Sequence, residues 1–156
     1  MTALVGVFRR QGRFLLQTMD RTTDKLWITS GGQHVGEGLG AATLGAAVRA
    51  GLGQTTLGVP HPKTWPTGKA AEGPLPGVAD VRSWKEFASC AASVTVHEGD
   101  DGRVSIMPAK RDKRGRLYEP MIEHEVVLPG PLGSVADEAI GAAVLEALAA
   151  SDDDAG

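Results

Sequence analysis

The side chains able to do chemistry are few and scattered. Four histidines, His34, His61, His97 and His124, stand at intervals that match no zinc-ligand spacing, and a single cysteine, Cys90, supplies neither a ligand pair nor an internal disulfide. Only Glu123-His124-Glu125 brings carboxylates next to an imidazole. On a strand the two carboxylates would share one face and the imidazole the other, which serves acid–base work or simply solvates one face. No Ser-His-Asp combination, phosphate-cradling glycine loop or nucleophile elbow can be picked out. Residues 110–116 hold five basic side chains and one acid, enough to touch a nucleic-acid backbone if aromatic rings offered stacking, but only Tyr118 is close. A solvated loop is the expectation there. No catalytic, cofactor-binding or metal-ligating residue is expected, and the protein should not be an enzyme.

These residues must be positioned by short elements. Residues 4–8 and 13–18 are apolar, β-prone runs around Gln11-Gly12, the pattern of a hairpin. A polar turn at 20–24 leads to a third strand, Lys25 to Ser30, which Gly31-Gly32 should end. Leu44, Val48 and Leu52 fall at i, i+4 and i+8 and predict a helix from about Ala41. Residues 57–79 are rich in proline and glycine and read as a connector. Ser83 with Glu86 predicts the capped start of a short helix burying Trp84, Phe87 and Ala88. Residues 92–97 and 103–107 alternate around a Gly/Asp turn and predict a second hairpin. Residues 121–128 read as another strand, closed by Pro129-Gly130-Pro131. Ser134 and Asp137 suggest a capping box for a last helix carrying Ile140, Val144 and Leu148 and ending near Ser151, with an acidic tail over 152–156.

The two long helices repeat each other. Leu44-Gly45-Ala46-Ala47-Val48 falls on Ile140-Gly141-Ala142-Ala143-Val144, and Leu52 on Leu148. A mid-helix glycine costs roughly 1 kcal/mol against alanine unless something packs closely on it, so the paired glycines predict a close crossing. The fold class expected is α+β: antiparallel sheet with two long helices in a pseudo-duplicated strands-then-helix plan. It forms a single domain over 1–151, with halves of about 1–55 and 80–151.

Composition narrows the partners. The 156 residues carry a formal charge of -3, which gives no general attraction to nucleic acid or anionic membranes. A lone cysteine favours a reducing compartment, and an N-terminal apolar run followed by Arg9-Arg10 has the wrong order for a signal peptide. A cytoplasmic location is the expectation.

Two resemblances bear on function. Gly31 to Glu37 followed by a helix resembles the start of a Nudix hydrolase box, but that helix offers Gly45 to Ala50 where the family needs metal-holding carboxylates. The second half, from Gly77 to Ser151, resembles the immunity-protein family of bacterial contact-dependent growth inhibition systems. The resemblance is carried by Arg82-Ser83-Trp84-Lys85-Glu86-Phe87, Val104-x-Ile106-x-Pro108, Asp137-Glu138-x-Ile140-Gly141-x-Ala143 and Ala147-Leu148-x-x-Ser151. Ile140 stands where leucine is usual, and the Pro/Gly-rich middle has no counterpart. The resemblance implies a cytoplasmic protein that binds the C-terminal toxin domain delivered by neighbouring cells and covers its active site, without cofactor. Many such toxins are nucleases with basic grooves, so Glu98, Asp100, Asp101, Glu123 and Glu125 are the candidate partner contacts. The alternative is a single-stranded nucleic-acid binder, because strands-then-helix repeated twice is also the plan of Whirly-type domains.

Overall fold

The computed structural model describes residues 2–112, 114 and 117–155. The first hairpin pairs β1 (Ala3–Arg10) with β2 (Arg13–Thr22). Gln11 and Gly12 take φ of 52° and 77°, the left-handed backbone that a two-residue hairpin turn needs to follow strand twist. β3 (Trp27–Glu37) pairs with β2 and does not stop at Gly31-Gly32 as expected. The glycines lie inside the strand because neighbours press on it: a Cβ on Gly32 would meet the Pro74 ring at 3.0 Å, and one on Gly31 would meet Thr18 Oγ1 at 3.1 Å.

α1 (Ala41–Leu52) follows, with Leu44, Val48 and Leu52 buried as their spacing predicts. The connector is partly structured. A short β4 (Leu57–Val59) lies parallel to the end of β2, Gly68–Glu72 forms a 3-10 turn, and α2 (Leu75–Val78) is a single helical turn. α3 (Trp84–Ala88) is capped as expected: Glu86 N donates to Ser83 Oγ at 3.1 Å, and Glu86 Oε2 reaches back to the Arg82 amide at 3.1 Å. Phe87 and Ala88 are fully buried, and Trp84 half-buried.

β5 (Ala91–Glu98) and β6 (Arg103–Arg111) form the second hairpin; β7 (Tyr118–Pro120) and β8 (Val126–Pro131) each pair with part of β6. Two expectations fail here. Ile122–His124 is a 3-10 turn, with the Glu125 amide donating to Ile122 O at 3.1 Å, so Glu123 and Glu125 do not share a strand face. Pro129-Gly130-Pro131 belongs to β8, where Gly130 at φ 122° supplies a backbone that other residues rarely adopt.

α4 (Asp137–Ala155) begins without the predicted capping box. Leu132–Ser134 is itself a 3-10 turn, Ser134 Oγ donates to Pro131 O at 2.8 Å, and the first helical amides bond to Ala136 O. The helix also runs past Ser151 into the acidic segment. Ser151 is buried, its Oγ accepting from Ser93 N at 3.0 Å and donating to Ala109 O at 2.5 Å, and Asp152 pairs with Arg9.

The eight strands among the described residues form one sheet, ordered β3-β2-β1-β5-β6-β7, with β4 on β2 and β8 on β6. β1 and β5 meet antiparallel at the centre, Val5 opposite Val96 and Val7 opposite Val94, so the two halves join edge to edge. α1 and α4 cover one face, where Leu44, Val48, Ile140, Val144 and Leu148 are fully buried, each worth roughly 1.5–3 kcal/mol of transfer free energy. The helices cross glycine on glycine. A Cβ on Gly45 would lie 2.5 Å from the Asp137 carbonyl carbon, and one on Gly141 would lie 2.5 Å from that of Ala41. Asp137 and Ala41 each precede the opposite glycine by one helical turn, so the contact is reciprocal, the mark of the pseudo-two-fold arrangement. Arg49 locks the crossing, donating from Nε to Asp137 Oδ1 at 2.7 Å, from Nη1 to Leu132 O at 2.8 Å, and from Nη2 to Val135 O. Among the described residues no helix is long and apolar enough to cross a membrane.

Candidate functional site

The opposite face of the sheet is covered unevenly. Phe8, Leu15 and Ala91 of the strands bury against Leu75 of α2 and Phe87 of α3, forming a second, smaller core. Between the connector and the sheet a groove of about 740 Å³ remains, walled by Phe8, Trp84 and Tyr118 with Gln17, Thr29 and Glu72 beside them. The three rings stand edge-on, Phe8 being 6.1 Å from Trp84 and 5.9 Å from Tyr118, the arrangement the ring quadrupoles favour. Tyr118 is fixed by its hydroxyl, which donates to Ala91 O at 2.7 Å, and burial pushes its phenol pKa up to about 12. Glu72 Oε1 accepts from the Trp84 amide at 2.9 Å and ties the connector to α3.

The groove continues, through shared Thr29, Ala71 and Gly73, into a second recess of about 590 Å³ lined by Met19, Trp27, Pro62, Trp65 and Pro66. Trp65 is 48% exposed. Arg21 lies 5.5 Å over the Trp27 ring, and His61, 3.3 Å from Asp24, stands edge-on to Trp65 and anchors the start of the connector. The surface offers apolar anchoring sites with a few polar groups between them, the usual make-up of a recognition groove.

The residues singled out by sequence lie elsewhere and apart from one another. Glu98 ends β5, half-buried opposite Val104. Asp100 and Asp101 occupy the following turn; Asp100 accepts from Thr2 Oγ1, which holds its carboxyl below the usual range, and Asp101 Oδ1 accepts from the Arg103 amide at 3.0 Å. Glu123 and Glu125 sit where Met121 N bonds Pro108 O, near the other end of β6. Glu98 lies opposite Val104 on one side of β6, whereas Val126, next to Glu125, lies opposite Ile106 on the other side, so the two groups flank different edges of that strand. His34 and His124 are exposed, His61 and His97 half-buried, and among the described residues no cluster of His, Cys, Asp or Glu could hold a metal ion. Of the basic run, Lys110 and Arg111 extend β6, and Arg111 Nη1 donates to Ala88 O at 2.9 Å; Lys113, Gly115 and Arg116 lie outside the described residues.

The aromatic groove has no signature in the sequence, since Phe8, Trp84 and Tyr118 come from three distant elements. One signal was available: the chain has three Phe, three Trp and one Tyr, so any cluster of rings marks an unusual place in a core otherwise built from Ala, Val and Leu.

No family model matches the chain, and no curated protein matches it by sequence. Solved structures do. A protein of unknown function from Neisseria meningitidis superposes with a TM-score of 0.76 at 17% identity, covering 96% of this chain and 95% of that one. A chain of the CdiA-CT/CdiI toxin and immunity complex from Yersinia pseudotuberculosis superposes with a TM-score of 0.70 at 12% identity, covering 96% and 97%. At these identities the likeness establishes a shared fold, end to end, with a protein of a toxin and immunity pair.

Proposed function

We propose that this chain is an immunity protein, a non-enzymatic cytoplasmic binder that neutralises a cognate bacterial toxin domain by covering its active site. The observation that carries the reading is the end-to-end likeness to a chain of the Yersinia pseudotuberculosis complex. The sequence resemblance over Gly77 to Ser151 supports the immunity side of that pair. Recognition without turnover asks for a rigid scaffold with apolar anchoring sites and matched charge. The aromatic groove answers the first need, and Glu98, Asp100, Asp101, Glu123 and Glu125 are proposed to answer the second, opposite a nuclease-like basic groove.

The test is co-expression with the toxin-like C-terminal domain encoded by the neighbouring upstream reading frame. One-to-one complex formation together with rescue of growth is expected. Growth arrest that persists, with no complex on a sizing column, refutes the reading; tight, salt-sensitive binding of single-stranded oligonucleotides would then favour the Whirly-like alternative.

A further inference from the structure

Ser93 carries a hydroxyl that the fold does not use. On β5 it lies directly opposite Phe8 of β1, so its side chain shares the groove face, while Ala92 and Val94 turn into the main core. The residue is only 5% exposed, yet among the described residues its Oγ makes no hydrogen bond; the contact with Ser151 uses the Ser93 amide. A hydroxyl so placed costs free energy until something pairs with it. Because Ser93 lines the groove, that partner has to come from the groove.

The walls fix the chemistry of what pairs with it. A volume of about 740 Å³ lies within the roughly 300–1,000 Å³ of small-molecule sites. Trp84 and Tyr118 are half-buried, so each leaves part of its ring to an incoming molecule. Phe8 leans over Gly6 so closely that a Cβ there would meet Phe8 Cε2 at 3.1 Å, and its ring meets both others edge-on. Such a surround favours another aromatic ring. Lys85 and Glu72 place one charge of each sign beside it, which favours a ligand without net charge. The Tyr118 hydroxyl is committed to Ala91 O and the Gln17 amide nitrogen to Thr29 Oγ1, which leaves Ser93 as the buried hydroxyl still to be matched.

We propose that the groove is a binding site for a small, uncharged aromatic molecule whose polar substituent hydrogen-bonds the Ser93 hydroxyl. The site does not depend on the immunity reading, since its probe is a small molecule and not the toxin. Amide NMR of the full chain titrated with 2-naphthol, uncharged at neutral pH, should give saturable shifts at Phe8, Ser93 and Trp84 and none at Val144 on the other face. Naphthalene, which has the rings without the hydroxyl, should bind about 5-fold more weakly, as on losing one hydrogen bond. Ser93→Ala should bring 2-naphthol down to the naphthalene level and leave naphthalene binding unchanged. Because the hydroxyl pairs with nothing among the described residues, the variant should melt no lower than the parent, which separates loss of the site from loss of the fold. Absence of saturable shifts in the wild type overturns the site, and equal 2-naphthol affinity in Ser93→Ala overturns the pairing and the proposal with it. Shifts at the same amides on raising the protein concentration alone, or on adding the toxin domain when 2-naphthol gives none, make the groove a protein seat and overturn the small-molecule site. The immunity reading fails separately, by the growth assay, whatever 2-naphthol does.

Discussion

Adding one methyl group at Gly45 pits helix propensity against packing, and the structure gives opposite signs to the two. Propensity alone favours alanine over a mid-helix glycine by about 1 kcal/mol. Packing forbids it: the new Cβ would lie 2.5 Å from the Asp137 carbonyl carbon and 3.0 Å from Gly141 N, where carbon–carbon contacts settle near 3.5 Å. The obstacle is backbone, which cannot rotate away, so α1 and α4 must part by roughly 1 Å and loosen the fully buried Leu44, Val48, Ile140, Val144 and Leu148. Overpacking costs about 1–3 kcal/mol and sometimes more; an immovable backbone obstacle places this case at the top of that range. After subtracting the propensity gain, Gly45→Ala should destabilise by about 2 kcal/mol, lowering the melting temperature by about 4–8 °C for a chain of this size. Gly141→Ala should behave alike. Because either substitution already parts the helices, the double variant should lose clearly less than the sum. Gly133→Ala, with nothing within 4 Å of its Cβ, serves as the neutral control. A melting temperature that rises in Gly45→Ala, or strict additivity in the double variant, would refute the glycine-on-glycine crossing.

Tyr118 is the only tyrosine, so its tyrosinate absorbance reports one site; it should titrate near 12 in the folded protein and near 10 when denatured. The folded state thus holds its proton longer than the unfolded state, and stability should fall as pH rises from about 10 to about 12, by at most about 2–3 kcal/mol. Tyr118→Phe should lack that fall, and a folded-state midpoint near 10 would sink the assignment. Arg49→Met should cost about 1–3 kcal/mol in urea denaturation, discounted because the side chain is 33% exposed. Asp137→Asn should cost less, since two of the three acceptors are carbonyls; equal losses would mean the ion pair alone matters.

What could be read from the sequence follows from which forces are local. Leu44, Val48 and Leu52 announce their helix because one face repeats along consecutive turns, and Gln11-Gly12 announces its hairpin because the turn's backbone demand is local. Gly31-Gly32 does not end the strand because the reasons for small residues there lie outside it: Thr18 of β2 presses on Gly31, and Pro74 and Leu75, far along the chain, press on Gly32. Ser134 misled because a Ser-x-x-Asp spacing fits a capping box equally well when the serine bonds backward to Pro131. The extension of α4 beyond Ser151 depends on that serine's burial between Ser93 and Ala109, and on Asp152 meeting Arg9. Of the candidate surfaces, the acidic turns were legible as charge runs; the aromatic groove exists only once distant segments meet.

The meeting of β1 and β5 at the sheet centre also orders events on the ribosome. The first hairpin, β3 and α1 are complete at Leu52, but the free edge of β1 and the bare face of Gly45 wait for segments made later. Another 46 residues must emerge before β5 ends at Glu98, roughly 2–9 s of elongation at 5–20 residues per second. An open strand edge held that long invites pairing with a neighbouring nascent chain. The proline-rich connector lengthens the wait and forms no strand of its own beyond β4 that could occupy the vacant edge. Slowing translation across residues 57–79 should therefore raise aggregation of this chain during synthesis more than equal slowing across α4 does, when β5 has already been made.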